Sequence, residues 1–349
     1  MGHRPQLGDE PAGIKSDVAM IRIGLDDAFP SLPPMNPIMA AAFRPGAASA
    51  RFPQTIREKQ MTAQPTIFLN CAGSRTQREV RDVLARQGRP MRAYGRTLDA
   101  AAMKAAGVAD TRIGGLLDID ALAAAMQGCG TVIHMAPALQ DKEVAMGQFA
   151  IDAARRAGVD RFVYVSVINP QIDYLMNHRA KLAVEDYLIG SGLNYTIVRP
   201  MHYYQNIDVA AAVASGRMAL TYSIDRPLGF VDMADVGEIV AKVAIEPGHD
   251  HAAYDLASED HKGVELASIL ADLSGKPIEA FRLPLDQIVA MLAPMLASEP
   301  GGVDWTASAI ERLFTYYDRF GLRGNANVLS WLLGRKPNGF ADYARRCLS

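Results

Sequence analysis

The sequence lacks any apolar run of the roughly 18 residues that a membrane helix needs, so no membrane association is expected. It also lacks an excess of basic residues. The 36 Lys and Arg stand against 38 Asp and Glu, a formal net charge of −2, which gives no electrostatic case for nucleic-acid binding. Cysteine is scarce: Cys71, Cys129 and Cys347 are odd in number and have no metal-type spacing. That excludes a disulfide scaffold and points to reduced thiols and the cytoplasm. No metal site is expected, because the loop His249-Asp250-His251 places no third ligand. The stretch at 38–50 has the small-residue look of a cleavage site. Its apolar core is short and broken by Arg44 and Pro45, so a signal peptide is not expected.

What is present is ordinary for a soluble globular chain: 349 residues, 49% apolar and 21% charged, enough for a large core and one or two domains. Residues 1–60 stand apart. They are rich in Pro and Gly, with PSLPPMNP at 30–37, and show neither helical nor strand period. Such a segment buries too little apolar surface to offset its chain entropy, so a disordered extension is expected over 1–62, with Met61 as the natural start or, alternatively, a flexible tail. A chain beginning at Met61 is therefore expected to keep its thermal midpoint. A loss on the order of 10 °C in a melting experiment would show that the segment packs on the rest.

From Thr66 onward, short apolar runs alternate with helical segments. Strands are expected at 66–70, 90–94, 111–114, 130–136, 161–167 and 195–199, with helices at 74–86, 119–126, 141–157 and 178–189. Strands spaced by helices of this length give right-handed βαβ units and a doubly wound parallel α/β sheet of Rossmann type over 63–200. Beyond Pro200 the rhythm loosens into a small C-terminal α+β lobe at 201–349, placed to cap the carboxyl edge of the sheet, where open α/β folds bind ligands.

The turn after the first strand lacks most of the glycines that let a backbone approach a pyrophosphate. In the register set by Val80, the glycine positions hold Cys71, Ser74 and Gln77, with Gly73 one residue off. Gln77 is expected to crowd the helix against the strand. Ser74, Arg75, Thr76 and Gln77 still offer donors at a helix N-terminus, an anion site by geometry, so Cys71, Gly73, Ser74, Arg75, Thr76 and Gln77 form the candidate phosphate turn. A scaffold that has lost its nucleotide is the competing reading. The second strand ends without the acidic residue that would hold a ribose 2′-hydroxyl. Arg96 stands there instead and suits a 2′-phosphate, hence NADP(H).

Residues 160–207 carry the most specific pattern: Ser166 at a strand end, His178, Lys181 and Glu185 as H-x-x-K-x-x-x-E, then Ser191-Gly192-Leu193, Thr196-Ile197 and Arg199-Pro200. With 229–240 and 332–346, this resembles the NmrA-like family of atypical short-chain dehydrogenases, and also the isoflavone-reductase-like proteins. The resemblance implies a Rossmann fold from 65 to the C-terminus. It also implies NADP(H) held in part by Ala136, Pro137, Ser166 and Lys181, and a substrate end lined by His202, Tyr203 and Tyr204. It further implies either of two functions. One is an NADPH-dependent reductase of a small carbonyl or quinone-type substrate. The other is a non-catalytic NAD(P)-sensing regulatory or protein-binding module, with a protein partner or homodimer possible in either case.

Departures from that family bear on turnover. The tyrosine of Tyr-x-x-x-Lys is absent, since Asn177 stands four residues before Lys181 and an amide cannot exchange that proton. Lys181 and His178 are then the candidate catalytic residues, Lys181 for the ribose and a proton, His178 as an alternative acid. A solvated Lys181 paired with Glu185 at i,i+4 is the bland alternative. The pair Gly114-Gly115 stands where an adenine-binding Gly-Asp is frequent. Met291, Leu292 and Met295 read as lobe packing, and Cys71 as a space-filling thiol or, with a lowered pKa, a reactive one.

Overall fold

The computed structural model describes residues 64–297 and 299–349; the extension expected over 1–62 and the start expected at Met61 lie outside the described residues. Six strands follow the alternation: Thr66–Asn70 (β1), Met91–Gly95 (β2), Asp110–Ile113 (β3), Cys129–His134 (β4), Arg161–Val165 (β5) and Tyr195–Pro200 (β6). Between them lie Arg75–Arg86 (α1), Ala100–Ala105 (α2), Ile119–Met126 (α3), Glu143–Ala157 (α4) and Met176–Ile189 (α5). The alternation does not predict α2. It is a single short turn region set by its cap, the Asp99 carboxylate accepting from the N–H groups of Ala101 and Ala102. Gly158, left-handed at φ 69°, ends α4 as its position after the helix predicts.

After β6 the chain leaves the sheet through His202–Tyr203 (β7), Val209–Ser215 (α6), Arg217–Leu220 (β8), Leu228–Val231 (β9) and Met233–Ile245 (α7). It then returns as Ala252–Leu256 (β10), which pairs in parallel with β6. The rest is Asp260–His261 (β11), Gly263–Ser274 (α8), Glu279–Arg282 (β12), Leu285–Leu296 (α9), Val303–Phe320 (α10), Asn327–Leu333 (α11) and Phe340–Leu348 (α12). The strand order of the main sheet is β10-β6-β5-β4-β1-β2-β3, all parallel. One face packs on α1 and α7 through Val80, Leu84, Val236 and Ile239, the other on α3, α4 and α5 through Leu122, Ile151 and Val184. The boundary expected at 200 does not divide the sheet: α7 and β10 belong to the layers of the first part, and residues 64–349 fall in one unit. Among the described residues no helix is long and apolar enough to cross a membrane.

The strand order reverses between β1 and β4, and there the two strand ends are tied by one side chain. Asn70 donates through Nδ2 to the Met135 carbonyl at 2.8 Å and accepts from the Met135 N–H at 2.9 Å. This is the switch point at which open α/β sheets leave a crevice beyond the carboxyl ends of their strands.

Candidate functional site

Two cavities open on that edge, one on each side of the switch point. The larger, about 940 Å³, lies beyond β4, β5 and β6 and includes Arg75, Ala136, Ser166, His178, Lys181, His202 and Tyr203 in its wall. The smaller, about 280 Å³, lies beyond β1, β2 and β3 and is bounded by Cys71, Gly73, Ser74, Arg96, Gly114, Gly115 and Pro137. Ala136 and Pro137 are consecutive and face one cavity each, so the two are neighbours along a single groove. The ionisable lining favours anions. Arg75, Arg96 and Lys181 stand against Asp208 and Glu299; Glu299 is already paired with Lys142 and Lys181 with the buried Glu143, each at 2.7 Å, which leaves Arg75 and Arg96 against Asp208. Among the described residues Arg96 has no acidic partner.

The turn keeps the geometry of a phosphate turn without its glycines. Cys71 takes the left-handed φ of 47° that glycine usually supplies. Ser74 caps α1 by accepting from the Gln77 N–H at 3.3 Å, and the Arg78 N–H reaches the Ser74 carbonyl. The N–H groups of Arg75 and Thr76, in the first turn, are left as the open donors of the helix end. Gln77 does not crowd the helix away, and it lines neither cavity. Fully buried, its Nε2 donates to the carbonyls of Asn70 and Ile133 at 3.0 and 3.3 Å, replacing a close glycine contact by hydrogen bonds to two strand ends. Thr76 is buried behind the turn and also lines neither cavity. Burial pushes the Cys71 thiol up to about 11 against the pull of Arg96 and Lys181, so it is a neutral thiol at pH 7 and not the low-pKa form. Arg75 spans the groove, donating to the Gln205 carbonyl at 2.7 Å and to Asn206 Oδ1 at 3.1 Å. Gly114 leaves room for the Tyr94 hydroxyl, which donates to the Gly115 carbonyl at 3.0 Å.

Lys181 is not the solvated residue of an i,i+4 pair. Its side chain is 8% exposed, and its Nζ lies 2.7 Å from Glu143 Oε1, a carboxylate with no exposure, at the first position of α4. Glu185 is engaged elsewhere. It accepts from Ser166 Oγ at 2.5 Å and from Arg199 at 3.0 and 2.6 Å. Ser166 therefore reaches the cavity wall with its hydroxyl proton already given away. His178 Nδ1 lies 3.1 Å from the Asn169 carbonyl. A carbonyl only accepts, so Nδ1 carries the ring proton and Nε2 the lone pair. Burial pushes His178 down to about 4. A neutral ring with that tautomer accepts at Nε2, so the expected role as an acid does not fit its geometry.

Much of the rest of the larger cavity's wall is aromatic. His202 packs edge-on against Tyr222 and Tyr317, and burial pushes it down to about 4. Burial pushes the Tyr203 phenol up to about 12 against its hydrogen bond with Thr76. Tyr204 faces neither cavity. It is buried and stacked on Phe230 at 5.2 Å between ring centres, a core residue of the lobe. Met291 and Met295, 55% and 67% exposed, line this cavity and do not fill the lobe. Sequence reasoning missed them because a helix face turned to a cavity has the same spacing as one turned to a core. Nor did it find Tyr317 or Glu143, and it marked Asn177 only as the residue in the tyrosine's place; a glutamate at the start of a helix reads as a dipole charge.

A fully parallel sheet with this order, and a divided groove at its switch point, defines a Rossmann-type dinucleotide fold. The chain belongs to the NmrA-like family, which matches residues 65–339. Quinone oxidoreductase 2 of Escherichia coli (strain K12) is 25% identical over 232 residues, 64% of this chain and 78% of that protein. The crystal structure of the NADPH-dependent quinone oxidoreductase from E. coli complexed with NADPH superposes with a TM-score of 0.66, at 23% identity, covering 81% of this chain and all of that one. The Citrobacter sp. triphenylmethane reductase complexed with NADP(H) gives 0.65 at 19% identity, covering 80% and 99%. NmrA, a negative transcriptional regulator, in complex with NAD gives 0.62 at 18%, covering 81% and 94%.

Proposed function

We propose that the protein is an NADPH-dependent reductase of a small, uncharged carbonyl or quinone-type acceptor. The observation that carries this reading is the large apolar cavity that continues past Lys181, with Tyr203, Tyr317, Met291 and Met295 in its wall. A protein that only senses nucleotide needs the groove, not a second chamber for a reactant. The similar proteins that reduce quinones or bind NADP(H) support the same choice. The unpaired thiols fit the cytoplasm expected from the sequence.

The residues present fit the dinucleotide. Arg96 offers an uncommitted cation for the 2′-phosphate, and Arg75 with the open N–H groups of α1 suits the pyrophosphate. Lys181 suits hydroxyls of the nicotinamide ribose. The bound dinucleotide would supply the hydride. This chain's part is to exclude water, to hold the flat acceptor among aromatic rings and sulfurs, and to set the Lys181 ammonium where negative charge develops on the acceptor oxygen. One further proton completes a hydroquinone. With Ser166 committed to Glu185 and His178 an acceptor, solvent is its source, which quinones tolerate because their reduced oxyanion is already stabilised.

The test is loss of NADPH absorbance over a panel of quinones and carbonyl compounds. Tight nucleotide binding with no oxidation by any of them would favour the sensing module instead. Arg96→Ala is expected to weaken NADPH binding about tenfold or more, as a charge-assisted contact worth roughly 1.5–3 kcal/mol implies, and to leave NADH nearly unchanged. Titration of both nucleotides checks this; an equal loss for the two would show that Arg96 does not read the 2′-phosphate.

A further inference from the structure

A buried cluster of ionisable side chains lies under the groove and includes a residue that no sequence pattern marks. Glu143 is wholly buried at the start of α4, where the helix dipole favours a carboxylate. The loop leading to it is pinned by the C-terminal lobe. Thr306 on α10 donates to the Leu139 carbonyl at 2.9 Å, Gln140 donates to the Leu296 carbonyl at 2.9 Å, and Lys142 pairs with Glu299. Leu139 itself is left-handed at φ 62°, a strained conformation for a leucine that the surrounding contacts must hold.

Every other ionisable group near Lys181 is neutral or committed. On β4, burial takes His134 down to about 3, and neither ring nitrogen has a hydrogen-bond partner. On β5, the Tyr164 ring lies 5.8 Å from the Lys181 Nζ, with its phenol held protonated by burial. Cys71 is a thiol, and His178 is neutral. Glu185, one turn along α5, is tied to Arg199 and Ser166. Glu143 alone is left to balance the ammonium. Burial pushes its carboxyl upward, and the Lys181 charge and the Leu139 N–H pull it back.

We propose that Glu143 is a positioning residue: its buried ion pair fixes Lys181 at the nicotinamide end of the groove and keeps the ammonium charged there. This rests on the reductase reading for its effect on turnover, but not for its effect on binding. Without Glu143 a desolvated ammonium has no counter-charge, and burial then favours the neutral amine. In Glu143→Gln the amide keeps the size and loses the charge, which leaves the buried Lys181 ammonium without its counter-charge. Glu143→Asp keeps the charge one methylene short.

The experiment measures NADPH affinity by fluorescence, and quinone turnover as kcat/KM, from pH 7 to 9.5 in the wild type and both variants. Thermal midpoints are taken alongside. The wild type and Glu143→Asp are expected to be flat over this range. Glu143→Gln is expected to show a descending limb in both quantities, with kcat/KM at least about tenfold below the wild type at the alkaline end, since each pH unit above a break is tenfold. A Glu143→Gln profile parallel to the wild type would overturn the proposal. So would a Glu143→Asp profile that falls as steeply as the glutamine variant. If Glu143→Gln does not fold, the double variant Lys181→Met with Glu143→Gln decides: recovery of the thermal midpoint when both charges are removed supports the pair, and no recovery rejects it. A wild type that binds NADPH but turns over no acceptor removes the reductase reading, and the affinity profile still tests Glu143.

Discussion

Lys181→Met is expected to lower kcat by about a hundredfold or more while weakening NADPH binding less than tenfold. A cation beside a developing oxyanion acts mainly in the transition state, and removing charge stabilisation or proton assistance at a reacting centre typically costs a factor of this size. The side chain is buried and paired at 2.7 Å, so its loss strands the Glu143 carboxylate. Breaking a buried pair on one side is strongly destabilising, by about 3–5 kcal/mol. The double variant Lys181→Met with Glu143→Gln removes both charges and is the cleaner probe of chemistry. Steady-state kinetics with a quinone, paired with nucleotide titration, separates the two effects. Equal losses in kcat and in affinity would mean that Lys181 merely holds the dinucleotide, and unchanged turnover would end its assignment.

Stability should fall steeply between pH 6.5 and 5. Three histidines are neutral in the fold, His134 and His178 buried and His202 half-buried: His134 at about 3, and His178 and His202 at about 4. In the unfolded chain each titrates near 6.5. Their contribution is complete above the unfolded value and is lost as the pH falls toward the folded values, because the unfolded state binds the protons first. At pH 5 each histidine costs about 2 kcal/mol relative to pH 8, on the order of 6 kcal/mol for the three, comparable with the whole stability of many domains. Urea unfolding across this range checks the slope. His134→Phe should keep the ring packing against Tyr164 and Phe162 and remove about a third of the acid sensitivity. An unchanged slope in that variant would show that His134 is not the buried neutral ring described.

The parallel sheet was legible in the sequence because β1, β4, β5 and β6 are short apolar runs between helices, and burial on both faces demands that composition, whereas the edge strand β3, Asp110–Ile113, is half polar and was marked only by its place in the alternation. Arg96 was legible from its position after β2, and Lys181 from the pattern around it. What escaped depends on tertiary partners. Gln77 breaks the glycine rule, yet two strand carbonyls at the switch point receive its amide. Tyr203 and Tyr204 are adjacent, but the chain turns between them, so one lines the cavity and the other stacks in the lobe. Lys181 and Glu185 have the spacing of a helix pair, and each takes its partner from a different element, the buried Glu143 of α4 for one and the half-buried Arg199 of β6 for the other.

The seventh strand has a consequence for the order in which the molecule can be assembled. β6 receives its outer neighbour only after the chain has passed through β7, α6, β8, β9 and α7. During synthesis from the N-terminus, the row of unpaired N–H and C=O groups along β6 emerges first and stays open until β10 follows. An uncovered edge is a template for pairing with another chain, and pairings distant in sequence form slowly. The lobe segments between β6 and β10 are therefore made while β6 is the outer strand of the sheet, and that edge passes to β10 once residues up to 256 are in place.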